Sequence, residues 1–137
     1  MPIVLNCHRG IGPDVRGTAL VAADNFSARY DLDREKGIFS RPAHKLHGQS
    51  YVGKILVLRE VKGGVASAWM LREMVAMGLA PAALLFNRVN PIVAQGAAFG
   101  DLSLLDRFAE GDVTSLIETG DQLFVEPAAG RVTILNL

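Results

Sequence analysis

The chain has 137 residues, of which 50% are apolar and 20% are charged, and its 14 basic side chains are balanced by 14 acidic ones. This length suits one domain with a single core, and the zero formal net charge argues against a nucleic acid or an anionic membrane as a partner. We therefore expect residues 1–137 to form one domain that binds neither.

The sequence contains one cysteine, Cys7. It can form no disulfide within the chain and cannot by itself supply the ligands of a metal cluster, so we expect a cytoplasmic protein that binds no cofactor of its own. No charged leader with a long apolar run opens the sequence, and no window approaches about 20 apolar residues, so we expect neither a signal peptide nor a membrane span. The mean hydropathy is positive, which points to a surface covered by another protein.

The first third of the chain is predicted to be β-structure and turns. Residues 17–22 have the composition of a strand, and residues 25–30 and 37–40 are predicted as short strands separated by a charged turn at 31–36. Residues 41–50 are predicted to form a polar connector. Pro42 has no backbone N–H to donate to a neighbouring strand, so this segment is not expected in the middle of a sheet.

From residue 54 onward, short apolar runs alternate with helical patterns. Residues 55–58 and 82–86 are continuous apolar runs, which is typical of strands covered on both faces, and residues 102–105 are predicted as a third strand. Helices are expected between these strands. The resulting β-α-β-α-β series predicts parallel strands with right-handed crossovers.

Both helices carry signals for their ends. The apolar spacing predicts the first helix over residues 66–77, with Gly78 ending it. Asn90 followed by Pro91 predicts an N-cap and a first helical residue, and the second helix is expected to stop before Gly100. Residues 122–127 and 131–135, joined by a turn, predict a β-hairpin that closes an α/β fold.

Ligands of open parallel sheets bind beyond the carboxyl ends of the strands. The first loop there contains Lys62, Gly63 and Gly64, and it leads into a helix through Val65 and Ala66. The glycines let the backbone approach a ligand, while the first-turn N–H groups and the lysine charge suit a carboxylate or phosphate. Glycines that only make a turn are the alternative.

The second loop contains Asn87, Arg88 and Asn90, just past a buried strand. Two amides and a guanidinium at this position suit a bidentate grip on a carboxylate. The alternative is that Asn90 only caps the helix and that Arg88 only pairs with an acid at the surface. A third loop, at Asp106 and Arg107, is a weaker candidate because adjacent opposite charges are usually solvated.

Ser67 is the hydroxyl closest to the two glycines and is the candidate catalytic residue. It can accept a proton where a cation or the helix terminus stabilises its alkoxide, and a role as a cap or bystander is the alternative. Other side chains of interest are expected to form hydrogen bonds within connectors (His8, His44, His47) or to pack in the core or against a partner (Trp69, Met70, Met74, Met77).

Several segments, in this order and spacing, resemble the small, swivelling subunit of the aconitase X family, which includes archaeal phosphomevalonate dehydratases and bacterial hydroxyproline dehydratases. They comprise residues 17–21, 44–50, 53–58, the glycine loop, 80–87, 90–97, 120–121 and the closing hairpin. The resemblance implies a swivelling β/β/α domain with a central parallel unit, N-terminal strands and a C-terminal hairpin.

The resemblance also implies a function. The chain is expected to close over the active site of a larger catalytic subunit that carries an iron or iron–sulfur centre, and to assist the dehydration of a small hydroxy acid. The family's serine base directly follows an Arg/Lys-Gly pair, where this sequence has Gly64, so the role passes to Ser67. Because of this departure, a stand-alone binding or scaffold domain that self-associates is the alternative.

Overall fold

The computed structural model describes residues 2–135. Two sheets and three helices account for its regular structure. The strands are β1 (Ile3–Asn6), β2 (Val15–Val21), β3 (Leu32–Asp33), β4 (Ile38–Phe39), β5 (Ile55–Val57), β6 (Ala83–Leu85), β7 (Ser103–Leu105), β8 (Gln122–Glu126) and β9 (Arg131–Ile134). The helices are α1 (Val65–Ala76), α2 (Pro91–Phe99) and α3 (Val113–Leu116), and Pro127–Ala129 form a 3₁₀ turn.

The larger sheet has seven strands in the order β1-β9-β8-β2-β5-β6-β7. Its second half is parallel, since β5 pairs with both β2 and β6, and β6 pairs with β7. Every residue of β5, β6 and β7 is buried, as expected for strands covered on both faces. The predicted β-α-β-α-β unit is confirmed, with α1 and α2 as its crossovers.

The helix ends also follow the sequence signals. Helix α1 ends at a cap residue, Met77, and the following Gly78 has φ +72°, a left-handed conformation that favours glycine. Helix α2 begins at Asn90, whose side chain accepts a hydrogen bond from the Val93 N–H. Gly100 caps its other end, so the predicted bounds of both helices are confirmed to within one residue.

The other half of the sheet is antiparallel. The predicted C-terminal hairpin is confirmed as β8 and β9, and β9 also pairs with β1. The chain then leaves β1 and reaches the opposite edge, where Ile11 forms a two-way backbone bridge with Leu104 of β7. The sheet is therefore curled, and the N-terminal segment links its two edges.

Two predictions for the N-terminal third are wrong. Residues 25–30 do not form a strand, because only Phe26 makes a ladder-like bridge, to Val61, before the chain turns. The small hairpin is β3–β4, and its turn lies at residues 34–37 rather than 31–36. Strand β1 and helix α3 are further elements that the sequence patterns did not predict.

Two apolar cores lie against the sheet, so the expectation of a single core is wrong. Leu56 and Leu84 belong to a core with α1, α2 and the aromatic residues of the 26–51 region, while Ile55 and Leu85 belong to a core with α3 and the antiparallel strands. The helices that cover the first core touch closely, because a Cβ at Gly96 of α2 would lie 2.6 Å from the Ala68 carbonyl oxygen of α1. Among the described residues, no helix has the length and apolar character needed to cross a membrane.

Candidate functional site

The carboxyl ends of β2, β5, β6 and β7 meet at one edge of the sheet, because these four strands are parallel. The loops that follow continue the ladder for a residue or two. The Leu58 N–H donates to the Leu85 carbonyl at 3.1 Å, and the Asn87 N–H donates to the Arg59 carbonyl at 2.8 Å. The two loops predicted to bind a ligand are thus held side by side.

The glycine turn (residues 62–64) lies directly above Ser67. Gly63 has φ +125°, and a Cβ at this position would lie 2.7 Å from the Ser67 Cβ and closer still to its Oγ. Only glycine fits there, both because of the backbone conformation and because of the close approach. Ser67 is 3% exposed, so the turn covers its hydroxyl.

The first turn of α1 is not capped by a side chain. Gly64 occupies the N-cap position, and it is followed by Val65, Ala66 and Ser67. These three residues carry the first N–H groups of the helix, which have no acceptor in the preceding turn. The exposed Lys62 precedes them, and its ammonium has no partner within residues 2–135. This end of α1 therefore has the donors and the charge to hold an anion.

Asn90 connects the second loop to the glycine turn. Its Oδ1 accepts the Val93 N–H at 2.9 Å, and its Nδ2 donates to the Gly63 carbonyl at 3.2 Å. Both polar atoms of the side chain are thus engaged within the protein. The arrangement shows Asn90 as a helix cap that also fixes the turn.

Asn87 is engaged in the same way, on the other side of the loop. Its Nδ2 donates to Asp112 Oδ1 at 2.9 Å, and its Oδ1 accepts the Val113 N–H at 2.8 Å. The hydrogen bond from Asn87, together with those from Thr114, outweighs desolvation and holds the pKa of Asp112 below its ordinary value. Arg88, by contrast, is exposed and has no side-chain partner among the described residues.

A fourth strand-end loop, after β2, adds groups that the sequence analysis did not single out. The Phe26 N–H donates to the Glu60 carbonyl at 2.9 Å, and the Lys62 N–H donates to the Phe26 carbonyl at 2.7 Å. Between this loop and the glycine turn lies a cleft of about 350 Å³, and Asp24 and Arg41 are among its lining residues. The sequence predicted strand β2 but not which strands lie next to it. No sequence pattern therefore placed Asp24 and Arg41 near the glycine turn.

His44 is buried behind this cleft. Its Nδ1 accepts the Leu46 N–H at 3.0 Å, so its proton lies on Nε2, which is 2.8 Å from the Asn25 carbonyl oxygen. The expectation that it forms hydrogen bonds within a connector is confirmed. Beside it, desolvation raises the pKa of Asp24, but N–H donation from Asn25 and Lys45 outweighs this effect and leaves the pKa below its ordinary value.

The outer side of α1 and α2 carries an apolar surface. Four of its side chains are 45–65% exposed, and they flank a groove of about 210 Å³. These four side chains are Val65, Trp69, Ile92 and Phe99. Trp69 therefore lies at the surface, whereas Met74 is in the core, as predicted for part of the set.

Metal-binding side chains do not cluster in the part of the chain that the structure covers. Within residues 2–135, no group of three or more His, Cys, Asp or Glu side chains could hold a metal ion. Burial, with the nearby charges of Asp106 and Glu110, raises the pKa of the Cys7 thiol to about 12. The thiol is therefore neutral at physiological pH and is not a reactive thiolate.

Comparison with known proteins gives a consistent result. Residues 4–134 match a family model described as an aconitase X swivel domain. The phosphomevalonate dehydratase small subunit of Methanothrix thermoacetophila is 36% identical over 106 residues, which is 77% of this chain and 77% of the relative. That of Methanocella arvoryzae is 30% identical over 127 residues, which is 93% of this chain and 96% of the relative.

The fold agrees with a solved structure of the same kind. The crystal structure of aconitase X from Thermococcus kodakaraensis in its holo-form matches with a TM-score of 0.90 and 28% sequence identity. The match covers 98% of this chain and 99% of that chain. The similarity thus includes the curled sheet, the two crossover helices and the strand-end loops.

Proposed function

The chain belongs to the aconitase X swivel-domain family, and on this basis we propose that it is a single swivel domain that serves as the small subunit of a cytoplasmic dehydratase. Its partner would be a larger catalytic subunit of aconitase X type, which carries an iron or iron–sulfur centre. The observation that carries the proposal is the uncapped first turn of α1 behind the glycine turn, with Lys62 beside it. This is a site for an anionic group at an open edge of the fold.

The substrate would be a small hydroxy acid, and phosphomevalonate is the first to test because of the names of the relatives. In its dehydration, a proton leaves one carbon, the hydroxyl group leaves the neighbouring carbon, and a C=C bond forms between them. The iron centre would act as a Lewis acid on the departing hydroxyl. The proposed role of this chain is to hold the substrate and accept the proton.

In this mechanism, the backbone at Gly63 and Gly64 and the N–H groups of Val65 and Ala66 contact a carboxylate or phosphate of the substrate. Lys62 and Arg88 add positive charge. Asn87 and Asn90 act as positioning residues, because their amides are already bound to the protein. We propose these roles from the geometry of the two loops.

Ser67 is the proposed proton acceptor. The positive end of α1 and the Lys62 ammonium favour its alkoxide form. Since Gly63 covers the hydroxyl, the proposal requires the glycine turn to move aside when the large subunit docks. The flexibility of two adjacent glycines suits such a movement.

The first experiment is reconstitution. The chain and the large subunit encoded with it are purified separately, and dehydration of phosphomevalonate and of other small hydroxy acids is measured for each alone and for the mixture. We expect activity in the mixture only. Full activity of the large subunit by itself would contradict the proposal.

A second experiment tests the serine. In the reconstituted enzyme, Ser67→Ala is expected to lower kcat by at least about 100-fold, the lower end of what general-base catalysis contributes. Ser115→Ala, at an exposed position of α3, is the matched control and should leave kcat unchanged. Unchanged turnover of the Ser67 variant would remove this residue from the mechanism.

A second candidate function is a non-catalytic scaffold that self-associates. The exposed apolar surface of α1 and α2 favours it. Light scattering of the isolated chain distinguishes the two. A stable homo-oligomer that does not exchange for the large subunit would support the scaffold, whereas formation of a complex with the large subunit supports the dehydratase.

A further inference from the structure

The cleft beside the glycine turn contains an arginine that is held in place and has unused donors. Arg41 Nε lies 2.9 Å from Asp31 Oδ1 in an ion pair, and the Arg41 side chain is 46% exposed. Its two terminal nitrogens form no hydrogen bond with the described residues. A guanidinium that pairs with a buried carboxylate and whose N–H groups form no hydrogen bond among the described residues is suited to bind a carboxylate or phosphate.

Asp31 is a rigid anchor for this guanidinium. Its side chain is 5% exposed, and its Oδ2 accepts the Ser27 N–H at 2.8 Å. Its own carbonyl accepts the N–H groups of Ser40 at 2.8 Å and Arg41 at 3.3 Å. Because both ends of the residue are bonded, Asp31 holds Arg41 in one place more firmly than a mobile surface acid would.

The two carboxylates that line the cleft already have partners within the protein. The Asp24 carboxylate accepts the N–H groups of Asn25 at 2.8 Å and Lys45 at 3.2 Å, and Asp31 is paired with Arg41. Both acids therefore have partners within the protein. Among the described residues that line the cleft, the guanidinium of Arg41 and the ammonium of Lys62 are cations that form no hydrogen bond.

The Arg131–Glu126 pair shows how the Arg41–Asp31 pair differs from another arginine–carboxylate pair of the same protein. Arg131 is also 46% exposed, and its Nε also lies 2.9 Å from a carboxylate oxygen, on Glu126. However, its Nη2 donates to the other oxygen of the same carboxylate, also at 2.9 Å. Arg131 thus uses two guanidinium nitrogens on Glu126. The guanidinium of Arg41, which lines the cleft, forms no hydrogen bond among the described residues.

We propose that Arg41, positioned by buried Asp31, binds an anionic group of the substrate in the cleft between the β2 loop and the glycine turn. This inference rests on the proposed function for the identity of the ligand, and it adds a second anionic subsite next to the first turn of α1. The substrate class is thereby narrowed to acids with two anionic groups, such as a phosphorylated hydroxy acid. The group bound at Arg41 is either a carboxylate or a phosphate.

Anion binding by the full chain tests the proposal without the large subunit. Inorganic phosphate and acetate are titrated separately into ¹⁵N-labelled protein. The backbone N–H resonances of the cleft residues Ser27 and Gly63 are followed by NMR in every variant, together with the Arg41 Nε–H resonance in the wild type. We expect saturable shifts that are weakened about tenfold or more by Arg41→Gln and partly retained by Arg41→Lys. The anion that binds more tightly identifies the group that this subsite takes.

Arg131→Gln is the matched control, and it should leave the binding of both anions unchanged. Failure of Arg41 to respond to either anion would overturn the proposal, as would equal binding by the Arg41→Gln variant. If Arg41→Gln does not fold, Lys62→Met replaces it, and undiminished binding by that variant counts against the cleft. None of these results depends on dehydratase activity, so failure of this inference is separate from failure of the proposed function.

In the assembled enzyme, the kinetics of Arg41→Gln distinguish a role in substrate binding from a role in folding. Arg41→Gln should raise KM at least tenfold for a substrate with two anionic groups, with a much smaller change in kcat. A purely structural role for Arg41 would lower the melting temperature and leave KM unchanged, and that result would also overturn the proposal.

Discussion

Helices α1 and α2 begin at the same edge of the sheet, but their first turns are completed in different ways. At α2, the Asn90 side chain accepts the Val93 N–H, and Pro91 removes one N–H that would otherwise need a partner. At α1, the N-cap is Gly64, which has no side chain to offer. The difference shows that the protein satisfies one helix terminus itself and leaves the other open to a ligand.

The largest effect on folding should come from the turn that opens α1. Gly63→Ala would place a methyl group against Ser67 and force a side chain into a left-handed conformation. We expect a loss of about 2–4 kcal/mol in the free energy of unfolding, measured by urea denaturation. Gly64→Ala is the control, because nothing lies within 4 Å of its added Cβ. Equal losses in the two variants would contradict this account.

Removing the cap of α2 should cost less. Asn90→Ala deletes the acceptor for the Val93 N–H and the donor to the Gly63 carbonyl. We expect a loss of about 1 kcal/mol, measured in the same way. Asn90→Ser keeps a capping oxygen and should recover most of the loss. A serine variant as unstable as the alanine variant would show that the bond to Gly63 matters more than the cap.

Giving α1 a cap should make it resemble α2. Gly64→Asp supplies an acceptor and a negative charge, so stability should rise by a few tenths of a kcal/mol while KM of the reconstituted enzyme rises sharply. Gly64→Asn supplies a neutral cap of the same size and should raise KM much less. If the two variants have the same KM, negative charge at this terminus does not compete with the substrate.

The smallest effect concerns α3, whose cap can titrate. Asp112 accepts the Thr114 N–H and a hydrogen bond from Asn87, and its pKa is lowered in the folded protein. Its contribution to stability is therefore present above its ordinary pKa of 3.8 and is lost as the pH falls through the lower folded pKa. Asp112→Asn should remove this dependence. The difference in melting temperature between wild type and variant, followed from pH 5 downward, checks the sign, and a difference that is constant with pH would refute it.

The parallel half of the fold could be predicted because its signals are local. Two continuous apolar runs, a third short and mostly apolar run, and the residues that cap the two intervening helices determine it, and each signal lies within or next to the element that it defines. Strand β1 had no such signal, since Ile3 and Val4 are about half exposed and the strand forms only by pairing with β9. Helix α3 has four residues, which is too short for a helical period to show.

The site could be predicted only in part, for a related reason. The two loops after β5 and β6 follow recognisable strands, so their proximity could be predicted, and the Asn90–Gly63 hydrogen bond confirms it. Arg41 could not be found in this way. Its partner is ten residues earlier, on the other side of the β3–β4 hairpin, and the hairpin strands are two residues each. The residues that bring such a pair together carry no periodic pattern.

The close contact of α1 and α2 has a consequence for movement. Where Ala68 meets Gly96, the two helices approach too closely to admit even a methyl group, so neither can roll or slide far against the other. A rotation of the whole chain on a partner would carry both helix starts through the same arc. The loops that precede the two helices would then reach a bound molecule together, and a change in the tilt of either helix would move both loops.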